Sequence, residues 1–224
     1  EGYIDLKNIL NNDKKLEYKI KGDKNDLLEI KLGKQLNPGD KISIDMKYNI
    51  KIPNSEGRFG YGKNTINITN WFPIACVNDD RGWNLKGYEA VGDPFYSETS
   101  DFYVKILIPK KYKMGCTGNV VNEKSDDEKI LYEIEAKKVR DFAFILSTKF
   151  GINKDTYKGT SINTYNLNEK LSSDATKMAK DSVRIFSELF GQYPYDTYSV
   201  VASDFYIGGM EYPTLVMIDQ SLYT

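Results

Sequence analysis

Histidine is absent from this 224-residue chain. That removes a Ser-His-Asp relay, a Cys-His nucleophile pair and any zinc site with an imidazole ligand built from these residues alone. Cysteine is nearly absent as well, with only Cys76 and Cys116 present. Two thiolates are too few for a structural zinc site, and the spacing leaves open whether they pair or stay as buried thiols. No apolar run reaches the length that spans a bilayer, and no signal-peptide pattern opens the chain. Glu1 is not a natural start, so the segment reads as excised. Neither sign of charge dominates: 31 Lys and Arg face 32 Asp and Glu, which leaves no electrostatic footprint for nucleic acid or anionic lipid. Nothing recurs at a fixed period, which excludes a repeat architecture. What is there, 40% hydrophobic and 28% charged, is the composition of an ordinary globular protein of one large or two modest domains.

Strand signals fill the first 150 residues. Leu27 to Leu32 is a short apolar run after the turn-rich Lys21 to Asn25, and Asn37-Pro38-Gly39-Asp40 has the order of a tight turn. Behind that turn Ile42, Ile44, Met46, Tyr48 and Ile50 alternate with polar residues, which predicts a strand with one wet face. Together these pieces predict an antiparallel hairpin. Asn54 to Gly62 reads as a loop with Gly57, Gly60 and Gly62, and Asn64 to Asn70 as a strand running into Trp71-Phe72-Pro73. From Trp71 to Tyr96 the chain is rich in aromatics, Trp83 and Tyr88 among them. These rings are expected to bury an irregular connection against a sheet, with a sugar-stacking platform as the alternative. Phe102, Val104, Ile106 and Ile108 alternate and end at Pro109; Ile130 to Ile134 and Phe142 to Ser147 follow as further strands. The acidic pairs Asp79-Asp80 and Asp126-Asp127-Glu128 lack the oxygen spacing of a calcium loop and read as solvated turns.

The character changes near Phe150. A strand near Ser161 to Tyr165 precedes a helical stretch in which Leu171, Ala175, Met178, Ile185 and Leu189 share one face. Met178 and Phe186 read as core side chains. Ser172, Ser173 or Asp174 would cap this helix, and Gly191 with Pro194 would end it. Tyr198 to Ala202 is a β-branched strand, and Gly208-Gly209-Met210-Glu211-Tyr212 comes directly after it. Two glycines let a backbone approach closely, because no Cβ stands in the way. Such a stretch offers a ligand an unobstructed strand edge and a negative charge.

In their order these landmarks resemble the M1 family of gluzincin aminopeptidases. They are Gly92-Asp93-Pro94, Arg140-Asp141-Phe142-Ala143, the helix ending Phe190-Gly191-Gln192-Tyr193-Pro194-Tyr195, and Gly208-Gly209-Met210-Glu211. The family signature Gly-x-Met-Glu-Asn is matched except that Tyr212 replaces its Asn. The resemblance implies a mainly β fold: a saddle-like antiparallel β-sandwich domain followed by the truncated start of a thermolysin-like α+β catalytic domain. Its boundaries would be 1–152, with the first strands missing, and 153–224. It implies a peptide partner with a free N-terminus, Gly208, Gly209 and Met210 along the substrate backbone, and Glu211 on the substrate ammonium. It implies zinc in the parent protein but neither metal ligand nor catalytic residue here, since the family's His-Glu-x-x-His lies beyond the position of Thr224. A bacterial envelope or secreted location would fit its relatives. Two readings from other classes stand beside it: a non-catalytic scaffold of M1 shape, and a β-sandwich module binding glycans or proteins through Trp71, Trp83 and nearby tyrosines.

Overall fold

The computed structural model describes residues 1–87, 96–168, 170 and 172–223. Gly92-Asp93-Pro94, Tyr88 and Leu171 lie outside these residues. The chain forms two compact units, Glu1–Ile52 with Phe72–Glu98, and Pro53–Trp71 with Thr99–Thr224.

The first unit is made of small antiparallel sheets. Strands β1 (Tyr3–Asn11), β2 (Lys14–Lys15), β3 (Glu17–Lys21), β4 (Leu27–Lys31) and β5 (Asp45–Lys51) give a sheet ordered β2-β1-β5 and a separate β3-β4 ribbon. The Pro38-Gly39 turn forms as its sequence requires: Asp40 N–H donates to the Asn37 carbonyl (2.9 Å) and Gly39 sits at φ +89°. The hairpin expected across it does not form. Instead β4 pairs with β3 and β5 pairs with β1. Gly22 (φ +84°) and Asn25 (φ 54°) fold a short turn between β3 and β4, and the shorter loop costs less entropy to close. The alternation in β5 survives, with Met46, Tyr48 and Ile50 half-buried between exposed neighbours. Strands β6 (Phe59–Tyr61) and β7 (Ile66–Ile68) belong to the second unit. The chain then returns to the first for a minimal hairpin, β8 (Asn78–Asp79) and β9 (Gly82–Trp83). Trp83 at its end is 63% exposed, so this ring does not bury the connection as the sequence suggested.

The second unit stacks three sheets. It continues with β10 (Ser100–Pro109), β11 (Lys113–Cys116), β12 (Asn119–Ser125), β13 (Lys129–Val139), β14 (Phe144–Ser147), β15 (Gly151–Tyr157), β16 (Thr160–Asn166), helix α1 (Ser172–Phe190), β17 (Thr197–Ser203), β18 (Gly209–Tyr212) and β19 (Leu215–Asp219). Their orders are β10-β13-β12, β11-β14-β7-β6 and β15-β16-β17-β19-β18. In the last sheet β16, β17 and β19 run parallel, and α1 is the crossover that a β16 to β17 step needs. Ala143, Ile145 and Phe150 pack with Val201, Phe205, Tyr212, Leu215 and Met217 in one buried cluster. Each of the larger side chains here contributes about 1.5–3 kcal/mol by leaving water.

The helix lies where expected, and Gly191 at φ +107° ends it in the left-handed conformation of a C-terminal cap. Its core face is not the one expected. Thr176, Ala179 and Val183 are the buried residues, whereas Met178 is 70% and Phe186 60% exposed. The sheet selects small and β-branched residues that let the helix sit close, and the long side chains are turned aside.

Both cysteines are free thiols. Cys116 is buried, and burial pushes its thiol up to about 12. Cys76 is only half-buried. An aromatic disulfide reagent is therefore expected to titrate one thiol in the native protein and the second only in denaturant. Two native thiols reacting at equal rates would contradict this placement.

Candidate functional site

Strand β18 is the edge of the five-stranded sheet; among the described residues nothing pairs with its other side. Its register on β19 runs from Gly209↔Ile218 to Tyr212↔Leu215. Asp219 N–H donates to the Gly208 carbonyl at 2.7 Å, which makes Gly208↔Asp219 a hydrogen-bonded pair. Antiparallel pairs alternate, so Met210 and Tyr212 also bond inward. Gly209 and Glu211 then turn their own N–H and C=O groups toward the open edge. Side chains alternate too: Met210 and Tyr212 pack on the core, and Glu211 stands exposed on the other face. Its carboxylate makes no hydrogen bond or ion pair among the described residues. The four predicted residues are thus brought together, but unequally. Gly209 and Glu211 carry the open backbone groups, and Met210 supports the strand from behind.

The glycines have different reasons. Gly208 sits at φ +95° with open space around it, so its need is conformational. A Cβ on Gly209 would make ordinary contacts with the Met217 carbonyl (3.5 Å) and Ile218 (3.6 Å). Gly209 is not required by the fold.

The turn after β18 is built on Pro213 and on Thr214, a β-branched residue at φ +62°. Such a residue in the left-handed region stores on the order of 1–3 kcal/mol. It is held there by its partners: Thr214 Oγ1 accepts from Gly118 N–H (2.8 Å) and its carbonyl accepts from Ser199 N–H (2.8 Å).

On the other side the entry to β18 is clamped by Asp204, which sequence reasoning missed. This residue is 3% exposed, and its carboxylate accepts from the N–H of Asn64, Thr65 N–H (3.0 Å), Asn64 Nδ2 (2.8 Å) and Gln220 Nε2. Its own N–H donates to Thr65 Oγ1 (2.9 Å), and its carbonyl accepts from Asn67 Nδ2 (2.9 Å), which also donates to Gly57 (3.0 Å). Tyr206 N–H then donates to the Glu56 carbonyl at 3.1 Å. The turn between β6 and β7, the end of β17 and the turn after β19 are tied at one carboxylate. The available sequence signal was Gly62, where a Cβ would meet Asp204 at 2.5–2.8 Å. Only a glycine fits.

Tyr212 stands where the resemblance expects Asn. Its ring is part of the buried cluster, its hydroxyl makes no well-formed hydrogen bond although the Thr69 side chain lies close to it, and burial pushes the phenol up to about 12. Tyr212→Phe removes this poorly paired group and keeps the packing. It should raise stability by about 1 kcal/mol, seen as a Tm higher by about 2–4 °C. A lower Tm would mean that the hydroxyl is bonded after all.

A cavity of about 470 Å³ lies elsewhere, between β15 and α1. Four of its charged side chains are paired, as Lys180–Asp155 (2.9 Å) and Lys177–Asp181 (2.8 Å), and Lys154 also lines it.

Neither a protein-family model nor a curated protein sequence matches this chain. Solved structures do. A crystal structure of a Deinococcus radiodurans M1 zinc metallopeptidase mutant bound to a Tyr-Ser-Ala substrate has TM-score 0.65 at 12% identity, over 97% of this chain and 51% of that one. The same mutant enzyme in a further crystal structure gives 0.66 at 12% identity, with the same coverage. A two-domain M1 zinc metallopeptidase mutant bound to L-arginine gives 0.63 at 11% identity, again over 97% and 51%. The fold is that of the M1 zinc metallopeptidases. The architecture, mainly β with one long helix, is the one expected from the sequence. The chain spans about half the length of the M1 proteins it matches. Among the described residues no three His, Cys, Asp or Glu side chains gather as a metal-binding group.

Proposed function

We propose that this chain is the peptide-anchoring part of a zinc aminopeptidase, with residues 1–152 as its β domain and 153–224 as the beginning of its catalytic domain. One observation carries the reading: the outward-facing backbone of Gly209 and Glu211 and the unpaired Glu211 carboxylate lie on a single open strand edge. An extended peptide adds to such an edge through main-chain hydrogen bonds, which tolerate any side chain. The carboxylate then takes the free ammonium group and sets which peptide bond comes next in register. M1 zinc metallopeptidases with the same fold bind Tyr-Ser-Ala or L-arginine, ligands that carry a free α-amine. A zinc ion would activate the water for hydrolysis and would take its ligands from polypeptide outside this chain. The residues of this chain bind and orient.

Titrating the ¹⁵N-labelled chain with Tyr-Ser-Ala and with its N-acetylated form tests this. Amide shifts at Gly209 and Glu211 are expected with the free peptide and a much weaker response with the acetylated one. Equal responses, or shifts that miss β18, would remove the anchor assignment. The scaffold reading predicts the same binding but no hydrolysis in the longest natural form of the protein. The module reading predicts glycan binding lost in Trp83→Ala.

A further inference from the structure

The turn that leads into β18 carries an exposed ring and a free carboxylate side by side. Gly208 N–H closes this turn on the Phe205 carbonyl (3.5 Å), which puts Tyr206 and Ile207 at its tip. Tyr206 is 71% exposed, yet it is held from two directions. Its N–H donates to the Glu56 carbonyl (3.1 Å), and its ring edge lies 3.7 Å from where a Cβ on Gly57 would stand. Gly57 is itself buried, and its carbonyl accepts from Asn67 Nδ2 (3.0 Å) within the Asp204 clamp. The Glu56 side chain next to this ring is exposed, and among the described residues its carboxylate makes no hydrogen bond or ion pair. The surroundings are negative. After Arg184 the chain has no Lys or Arg, and its charges there are Glu188, Asp196, Asp204, Glu211 and Asp219. The nearest bases are set apart. Arg58 is felt at the Tyr212 phenol, at the other end of β18, and Lys149 donates to Asn64 Oδ1 (2.8 Å) beside Lys63.

A ring face attracts a cation and a carboxylate pairs with it, so the two together recognise a guanidinium or ammonium group. The open edge of β18 determines which cation reaches them. A peptide whose first residue is held at Glu211 has two directions along the strand. Running parallel to β18, it meets Pro213, which has no N–H, and the pairing ends. Running antiparallel, its third residue comes opposite Gly209, about 7 Å further on, and the chain continues past the Tyr206 turn. We propose that Tyr206 and Glu56 are specificity-determining residues that select peptides with Arg or Lys at the third position and disfavour Asp or Glu there. The inference rests on the peptide-anchoring function proposed above and names the substrate class of that same edge: basic peptides with a free N-terminus. Both contributions arise at exposed sites, so the selection is modest, about fivefold for Arg over Ala.

The test titrates the ¹⁵N-labelled chain with three peptide amides, Tyr-Ser-Arg-Ala-NH₂, Tyr-Ser-Ala-Ala-NH₂ and Tyr-Ser-Glu-Ala-NH₂. The amide end keeps the peptide's own carboxylate out of the comparison. In the wild type the Arg peptide should bind about fivefold tighter than the Ala peptide, with added shifts at the Tyr206 and Gly57 amides, and the Glu peptide should bind weakest. Glu56→Lys should reverse the order of the Arg and Glu peptides, and Tyr206→Leu should cut the Arg preference to about twofold. The bond between residues 56 and 206 is main-chain, so both variants keep it. If either moves the β18 amides before peptide is added, Glu56→Gln takes its place and should bring the Arg and Glu peptides within about twofold of each other. Equal affinities for the Arg and Glu peptides in the wild type overturn the proposal, as does an Arg preference that survives Glu56→Lys. The shifts separate the two readings. Peptides that move Gly209 and Glu211 without discrimination sink this proposal alone, and peptides that leave the β18 amides unmoved sink the anchor reading on which it rests.

Discussion

Asp204→Ala should lower stability by about 4 kcal/mol or more, making it the most damaging single change expected in the second unit. The carboxylate is the acceptor for two backbone N–H groups and two side-chain amides, all part-buried or buried. Alanine leaves those four donors without an acceptor, and each bond to a charged group is worth about 1.5–3 kcal/mol, though the four do not add. For a protein of this size the loss corresponds to a drop in Tm of about 10 °C. Asp204→Asn keeps one acceptor oxygen but turns an NH₂ group toward donors, so it should recover only part of the loss. Chemical denaturation decides the matter. A loss under about 1 kcal/mol in the alanine variant would mean that water replaces the carboxylate and the clamp is not structural.

The second large effect is on recognition, and it would be measured on a longer protein carrying the zinc half proposed above. Glu211→Gln keeps the shape of the residue and removes its charge. A charge-assisted hydrogen bond is roughly twice as strong as a neutral one, and here it would fix the position of the scissile bond. The kcat/KM on peptides with a free amine should fall by about two orders of magnitude, the scale of a misplaced substrate. Tm should stay within about 0.5 °C, because the side chain is exposed and touches no partner. The measurement that matters is discrimination between free and acetylated N-termini. If Glu211→Gln leaves that ratio unchanged, the carboxylate is not the anchor.

How much of this was legible follows from which forces are local. Strands β5 and β10 announce themselves by alternation, because one wet face imposes period two on the sequence. The Pro38-Gly39 turn and the Gly191 cap were readable because their backbone angles demand particular residues. Pairing was not readable: β5 meets β1 instead of β4, and several residue runs alternate well enough to pair with either. The face of α1 was misread for a related reason. Periodicity finds an apolar arc, but it does not say which part of a wide arc meets the sheet. Glu211 was visible because it stands beside glycines in a strand. Asp204 was not, since its role is set by Asn64, Thr65 and Gln220, which are distant in sequence.

The open edge of β18 has one more consequence, for solubility. A row of unpaired backbone groups will accept any extended chain, including another molecule of the same protein. This edge is only four residues long, is led by two flexible glycines and is closed by Pro213, which has no N–H to offer. The one charge that stands out from it is Glu211. Two such edges approaching each other bring like charges together, so the carboxylate that would welcome an ammonium group also repels its own twin. Neutralising it removes both properties at once. Light scattering of Glu211→Gln should therefore accompany any assay of its binding, because self-association through β18 would imitate a loss of function.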